Sequence, residues 1–158
     1  MKYLFSLLSF VLILSCATSQ TTSNYSKIEY EAGACFGFCP IYKMTINEDR
    51  TATFEAIRFN FSRDVQSEEN EGTFKGKIDP EKYKELLSML NSLHPQDLKD
   101  YYGNKNISDL PTSYLILSSE EGTVKKIQDY GKSGTPELIK LYHFFDELKR
   151  NQTWTKIE

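Results

Sequence analysis

The fold class is decided by the stretch 78-IDPEKYKELLSMLNSL-93, in which a strand pattern ends and a helix begins. Asp79, Pro80 and Glu81 supply an N-cap, a proline at the first helical position and an acid near the positive end of the helix dipole. Apolar residues then recur every three or four positions, as on one face of a helix, at Tyr83, Leu86, Leu87, Leu90 and Leu93. This stretch predicts an amphipathic helix that follows a strand.

The same succession occurs again nearer the C-terminus. Thr135, Pro136 and Glu137 repeat the helix opening, and the apolar stripe returns at Leu138, Leu141, Tyr142, Phe145 and Leu148. Alternating apolar and polar residues predict strands at residues 27–32, 42–46, 51–59, 72–78, 113–119 and 122–130. We therefore expect an α+β fold, an antiparallel sheet built from two hairpin regions with two amphipathic helices packed on one face.

The N-terminal residues read as an export signal. Lys2 precedes an apolar run over residues 4–14, which is too short to span a bilayer. The run ends at Ile13-Leu14-Ser15-Cys16, which resembles the lipobox of bacterial lipoproteins. We predict a signal peptide at 1–15, lipidation of Cys16, a flexible linker at 16–25 and a single domain at 26–158. An ordinary signal peptide with a chance cysteine, or a buried strand, is the alternative.

Composition restricts the partners. The formal charge of −3 becomes −4 when Lys2 leaves with the signal, and no basic face is evident, so we expect no nucleic-acid partner. Ala17, the residue after the lipidated cysteine, carries no acidic retention signal, which favours the outer membrane facing the periplasm. The membrane itself, through the N-terminal lipid, is the expected partner, with an envelope protein or a small ligand as a further one.

No stretch has the pattern of a catalytic or metal centre. A Gly-x-Ser-x-Gly elbow is missing, and the two histidines, His94 and His143, lie at separate helical positions without paired-ligand spacing. Residues 131–134 (Gly-Lys-Ser-Gly) have a composition suited to phosphate but lack the spacing of a P-loop, so a connector is expected. We therefore expect no enzyme activity, no catalytic residue, no metal and no cofactor.

The one unusual segment of the mature chain is 34-ACFGFCP-40. With Cys16 used for lipid, Cys35 and Cys39 form an even pair in an oxidising compartment, which favours a structural disulfide. A redox-active pair and a metal site are alternatives. Phe36 and Phe38 flank the bridge, where they are either an exposed aromatic tip for a partner or plugs for the core.

This segment also carries a family resemblance. Together with Tyr42, with Thr51-x-Thr53-Phe54 and with residues 109–112 (Asp-Leu-Pro-Thr), it is similar to a family of uncharacterised bacterial envelope lipoproteins with a C-F-G-x-C-P-x-Y motif. Such sequences more usually have glycine at the position of Arg50. This difference bears on the type of turn in the hairpin and leaves the expected fold unchanged. The family is a domain of unknown function, so the resemblance implies no activity, substrate or catalytic residue.

The sequence therefore predicts a non-enzymatic binding module of the envelope on a lipid anchor. Its candidate binding residues are Phe36, Phe38, Tyr42, Tyr101 and Asp109. Two alternatives stay open: a thiol–disulfide redox protein or sensor that uses Cys35 and Cys39, and a purely structural envelope lipoprotein.

Overall fold

The fold is seen in a computed structural model that describes residues 24–60 and 70–158. The predicted signal, the lipidation site Cys16, most of the predicted linker and part of the acidic loop at 60–71 lie outside the described residues. The strands are β1 (Lys27–Ala32), β2 (Ile41–Asn47), β3 (Thr51–Arg58), β4 (Gly72–Lys77), β5 (Tyr101–Tyr102), β6 (Thr112–Ser119), β7 (Gly122–Tyr130) and β8 (Thr155–Lys156). The helices are α1 (Pro80–Leu93), a short 3-10 turn (Pro95–Asp97) and α2 (Pro136–Asn151).

All eight strands join one sheet in the order β5-β7-β6-β1-β2-β3-β4-β8. β1 pairs with β2 on one side and with β6 on the other, so the strands form one continuous sheet rather than two separate hairpin regions. The α+β class is confirmed, but the prediction of a purely antiparallel sheet is wrong, because β5 pairs parallel with β7. A strand of two residues is too short to produce the alternating pattern by which strands are recognised in sequence.

The sheet has two distinct ends. Lys27, where β1 begins, lies opposite Asn47 beside the β2–β3 turn, and we call this the turn end. β1 finishes at Ala32, about 17 Å away because five steps of an extended strand separate the two residues, and residues 33–40 project from this second end, the loop end. α1 begins and α2 finishes at the turn end, where the backbone N–H of Asp79 donates to the Gln152 side chain at 3.3 Å.

The core lies between the sheet and the two helices. The Tyr30 ring stacks on Phe145 and Tyr142 of α2, with ring centroids 4.7 and 5.4 Å apart. Both predicted helical stripes are buried, and the Asp79 carboxylate caps α1 by accepting from the Glu81 backbone N–H at 2.9 Å. In the described part of the chain, neither helix has the length and apolar character needed to cross a membrane.

Arg50, where the similar sequences more usually have glycine, lies in the turn between β2 and β3. Its φ of 70° is left-handed, a conformation that glycine adopts without steric cost and that other residues adopt rarely. Asp49 holds the turn, because its carboxylate accepts hydrogen bonds from the Thr51 backbone N–H at 2.9 Å and from the Thr51 hydroxyl at 2.6 Å. The turn therefore forms with arginine at a position that suits glycine.

Candidate functional site

The cysteine loop, residues 33–40, connects β1 to β2 at the loop end. Cys35 and Cys39 are joined by a disulfide whose Cα atoms lie 5.7 Å apart, so the predicted bridge is present. Gly37 sits between them with a φ of 120°, where a residue with a side chain would be strained. The bridge and this glycine together turn the chain tightly enough to lift residues 36–38 out of the sheet.

Both phenylalanines of the loop face solvent. Phe36 is 89% exposed and Phe38 is 66% exposed. The two rings therefore form an exposed tip and do not fill the core. Phe38 packs edge-on against Phe59 at a centroid distance of 5.3 Å, and the Arg58 guanidinium lies 4.4 Å over the Phe59 ring. We call Phe36, Phe38, Phe59 and Arg58 the aromatic tip.

The loop is backed by the segment that precedes β6. The Phe36 backbone N–H donates to the Asp109 carbonyl at 3.0 Å, and Gly33 N–H donates to the Thr112 carbonyl at 2.7 Å. Asp109 has a left-handed φ of 67°, and its carboxylate accepts from the Ser108 hydroxyl at 2.9 Å. Asp109 therefore supports the loop through its main chain, while its side chain stays exposed beside the tip.

The other two predicted binding residues lie elsewhere. Tyr42 is fully buried, so the structure does not support it as a surface contact. Its place at the start of β2 turns the ring toward α2, because alternate strand residues face opposite sides of the sheet. Tyr101 lies in edge strand β5 and is half-buried, with the Lys105 ammonium 5.2 Å from its ring centroid. Of the five candidates, the structure brings together Phe36, Phe38 and Asp109.

Tyr42 instead belongs to a buried polar cluster beneath the loop end. Its hydroxyl donates to the Asp146 carboxylate at 2.8 Å, and the Lys149 ammonium donates to the same oxygen at 3.2 Å. Lys132 reaches the other Asp146 oxygen at 3.6 Å. The Lys149 side chain is completely buried, with its ammonium 4.5 Å from the centroid of the Tyr42 ring.

The electrostatics of this cluster follow from burial and from its charges. Burial alone would raise the pKa of Asp146, but the charges of Lys149 and Lys132 and the hydrogen bond from Tyr42 outweigh it and hold that pKa below its usual value. Burial lowers the pKa of Lys149, which its attraction to Asp146 only partly offsets. The hydrogen bond from Tyr42 to Asp146 and the ion pair of Asp146 with Lys149 fasten β2 to α2.

Backbone N–H groups of the connector at residues 131–134 already donate hydrogen bonds to a side chain of the same chain. The buried Asp129 carboxylate accepts from the Ser133 backbone N–H at 2.8 Å and from the Gly134 N–H at 3.0 Å. These are donors that an external phosphate would need. Within residues 24–60 and 70–158, no three side chains of histidine, cysteine, aspartate or glutamate come together as a possible metal site.

Sequence reasoning missed two parts of this region. The sequence pattern predicts Arg58 and Phe59 only as the end of a strand, and the fold brings them beside Phe38. Lys149 and Asp146 could have been suspected, because Lys149 follows Phe145 by four positions and therefore lies on the apolar stripe of its helix. A lysine on such a stripe needs a buried acidic partner, and Asp146 is three positions away.

Comparison with known protein families gives a match that covers most of the chain. The family described as a domain of unknown function (DUF6438) matches residues 26–149, which run from the start of the sheet almost to the end of α2 and contain the whole cysteine loop. Residues 150–158 lie beyond the matched part. No curated protein matches the chain.

Proposed function

The chain belongs to the DUF6438 family, and we propose that this member is a lipid-anchored, non-enzymatic binding module of the bacterial envelope. Its anchor is the lipid on Cys16, which follows the export signal at 1–15. A single acyl chain binds a membrane marginally, whereas the several chains of a lipoprotein hold it stably. The linker at 16–25 leads to the domain, which we assign to the outer membrane facing the periplasm.

The observation that carries the binding role is the exposure of Phe36, 89% of whose side chain meets solvent on a loop closed by a disulfide. Large exposed aromatic side chains on a rigid support are favourable anchors for an interface, because little conformational entropy is lost when they bind. Phe38, Phe59 and Arg58 extend the same surface. The tip would enter an apolar pocket of the partner, with Arg58 at its rim.

The position of the tip favours a protein as the partner. The linker reaches the domain at Lys27 on the turn end, whereas the tip projects from the loop end, about 17 Å further along β1. When the linker is relaxed, the tip therefore points away from the membrane that holds the lipid. We infer that it meets an envelope protein rather than the anchoring bilayer.

A redox function is the second candidate, because the Cys35–Cys39 disulfide lies in this same projecting loop. A redox cysteine is usually activated by a helix N-terminus or by a neighbouring cation, and here strand β2 follows the loop. The reduction potential separates the two functions. A structural bridge has a potential below about −300 mV, whereas a catalytic or sensing pair is more oxidising.

The test is photocrosslinking in cells, with a photoreactive phenylalanine in place of Phe38. We expect a covalent adduct of one defined mass that is lost when Phe36→Ser is added. Val124→Ser is the matched control, because Val124 is also an exposed apolar side chain, 41% exposed, but lies near the turn end. The adduct should survive this control.

Other outcomes would replace the proposal. An adduct with lipid alone, or one that Phe36→Ser leaves intact, would contradict a protein-binding tip. An adduct with a thioredoxin-like protein that requires Cys35 would favour the redox function. If the tip yields no adduct, and if deletion of the gene in a second strain leaves the envelope unaffected, the two results together would favour a structural lipoprotein.

A further inference from the structure

A cavity of about 660 Å³, open to solvent, lies at the turn end between the β2–β3 turn, the start of α1 and the end of α2. Three cations line it on the side of the sheet and α1, and two amides and a hydroxyl line it on the side of α2. These six residues are Arg50, Lys77, Lys82, Asn151, Gln152 and Thr153. Side chains that donate hydrogen bonds therefore surround one space.

Arg50 is fixed at the wall of this cavity before any ligand arrives. The Ile78 backbone N–H donates to the Arg50 carbonyl at 2.9 Å, and the Arg50 guanidinium donates back to the Ile78 carbonyl at 3.3 Å. A guanidinium has five N–H donors, so most of them stay available after this bond. A side chain that is already held in place loses less entropy when it binds a ligand.

The acids at this corner do not neutralise the cations. Asp79 accepts from two backbone N–H groups of α1, and Asp49 accepts from a backbone N–H and a hydroxyl of the β2–β3 turn. Within the described part of the chain, neither Arg50 nor Lys77 forms an ion pair, whereas Lys82 pairs with an exposed glutamate at 2.8 Å. The cavity therefore keeps an excess of positive charge.

Phosphate is the anion that suits these donors. Its several oxygens can accept from the planar fork of an arginine and from a lysine ammonium at the same time, and Asn151 and Thr153 add neutral donors. The helix end itself contributes little, because Pro80 has no N–H and Asp79 already accepts from the next two N–H groups. The cations and not the helix N-terminus make the site.

The place of the cavity indicates where the phosphate comes from. The chain enters the domain at Lys27 on the turn end, the same end at which the cavity opens. With the lipid anchor proposed above, this end faces the anchoring membrane. Phospholipid headgroups carry phosphate, and anionic headgroups attract basic side chains close to the membrane surface.

We propose that this cavity is a phosphate-binding site, and that it takes the phosphate of a phospholipid headgroup in the membrane beneath the domain. Only the source of the phosphate rests on the proposed lipid anchor, since the cavity and its cations are independent of it. A bound headgroup would hold the turn end against the bilayer and leave the aromatic tip pointing away from it.

Protection of the Lys77 amine tests the site. The full chain is purified in a nonionic detergent, treated with an amine-acylating reagent and digested for mass spectrometry. As inorganic phosphate replaces chloride at constant ionic strength, acylation of Lys77 should slow along a saturating curve, by about tenfold once phosphate reaches about ten times the dissociation constant. Lys140, an exposed lysine near the start of α2, lies far from the cavity and should react at an unchanged rate.

Two variants of equal charge make the result decisive. Arg50→Gly removes the guanidinium, suits the left-handed φ of 70° and should therefore fold, and it should abolish the protection of Lys77. Lys140→Gln removes one positive charge elsewhere and should leave the protection intact. Equal protection of Lys77 and Lys140, protection that survives Arg50→Gly, or no protection at any phosphate concentration would disprove the site.

Vesicles then identify the source. In vesicles of phosphatidylglycerol and phosphatidylcholine without free phosphate, we expect Lys77 of the full chain to be protected and Arg50→Gly to lose that protection. Retention of the chain on the vesicles reports on the lipid anchor separately, so a missing anchor and a failed cavity give different results. If inorganic phosphate protects Lys77 but vesicles that retain the chain do not, the headgroup is disproved as the ligand and a soluble phosphate compound replaces it.

Discussion

Two groups of aromatic side chains lie a few residues apart in this chain and have opposite surroundings. Tyr30 and Tyr42, on the strands either side of the cysteine loop, are fully buried against α2, whereas Phe36 within the loop is 89% exposed. The difference lies in the backbone. In β1 and β2 the pleat turns alternate residues toward the helices, whereas the disulfide-closed loop extends past the end of the sheet. The buried group should determine stability, and the exposed group should determine recognition.

The strongest test of this contrast removes one ring from each group. Phe145→Ala deletes a fully buried ring that stacks on Tyr30 and should lower the free energy of unfolding by about 3–5 kcal/mol. Phe36→Ala removes a ring in solvent and should change it by less than about 0.5 kcal/mol. Urea unfolding measures both. A cost for Phe36→Ala near that of Phe145→Ala would show that the loop is part of the core and would undo the distinction.

How far the sequence anticipated the structure depended on whether the signal was local. The N-cap Asp79 and the apolar stripe of α1 predicted that helix correctly, because caps and periodicity are properties of adjacent residues. The bridge between Cys35 and Cys39 was predictable for the same reason. The pairing of β1 with β6 is not local, since Tyr30 and its partner Leu115 are far apart in the chain.

The parts that were missed share a physical cause. β5 and β8 each have two residues, and each pairs with a strand that is distant in the sequence, β7 and β4 respectively. Neither pairing leaves a local pattern by which it could be predicted. The contact of Phe38 with Phe59 likewise forms only when β2 and β3 pair and return the chain to the loop end. At the candidate site, therefore, the sequence predicted the loop and its rings but not the second half of the aromatic tip.

A second prediction concerns the covalent support of the exposed group. Replacing both Cys35 and Cys39 by serine should lower the free energy of unfolding by roughly 2 kcal/mol, because the bridge closes a ring of few residues in the unfolded chain. The dependence of unfolding on urea should keep its slope, since the core is unchanged. If the free energy stayed the same while the Phe38 crosslink disappeared, the bridge would serve recognition or redox chemistry without serving stability.

The smallest effect distinguishes the two groups by pH, because the rings of the aromatic tip are phenylalanines, whereas the core contains tyrosines, which can ionise. Burial is the main cause that raises the pKa of Tyr30, Tyr42 and Tyr142 above the ordinary value of 10.0, with nearby carboxylates adding to it. The folded chain then keeps protons that the unfolded chain loses, so stability is complete below pH 10 and falls as the pH rises further. Each tyrosine contributes a slope of up to about 1.4 kcal/mol per pH unit, while the lowered pKa of Lys149 opposes this change.

Tyr142→Phe isolates one of these contributions. It keeps the ring that stacks on Tyr30 and removes the proton, so the fall in stability above pH 10 should become shallower by up to about 1.4 kcal/mol per pH unit. Urea midpoints between pH 9 and pH 11 measure the slope, and Phe36→Ala is the control, because a ring without an ionisable group should leave it unchanged. An identical slope in Tyr142→Phe and the unmodified chain would mean that Tyr142 ionises in the folded protein as it does in water. The closed core that the comparison with the aromatic tip assumes would then be open to solvent at this ring.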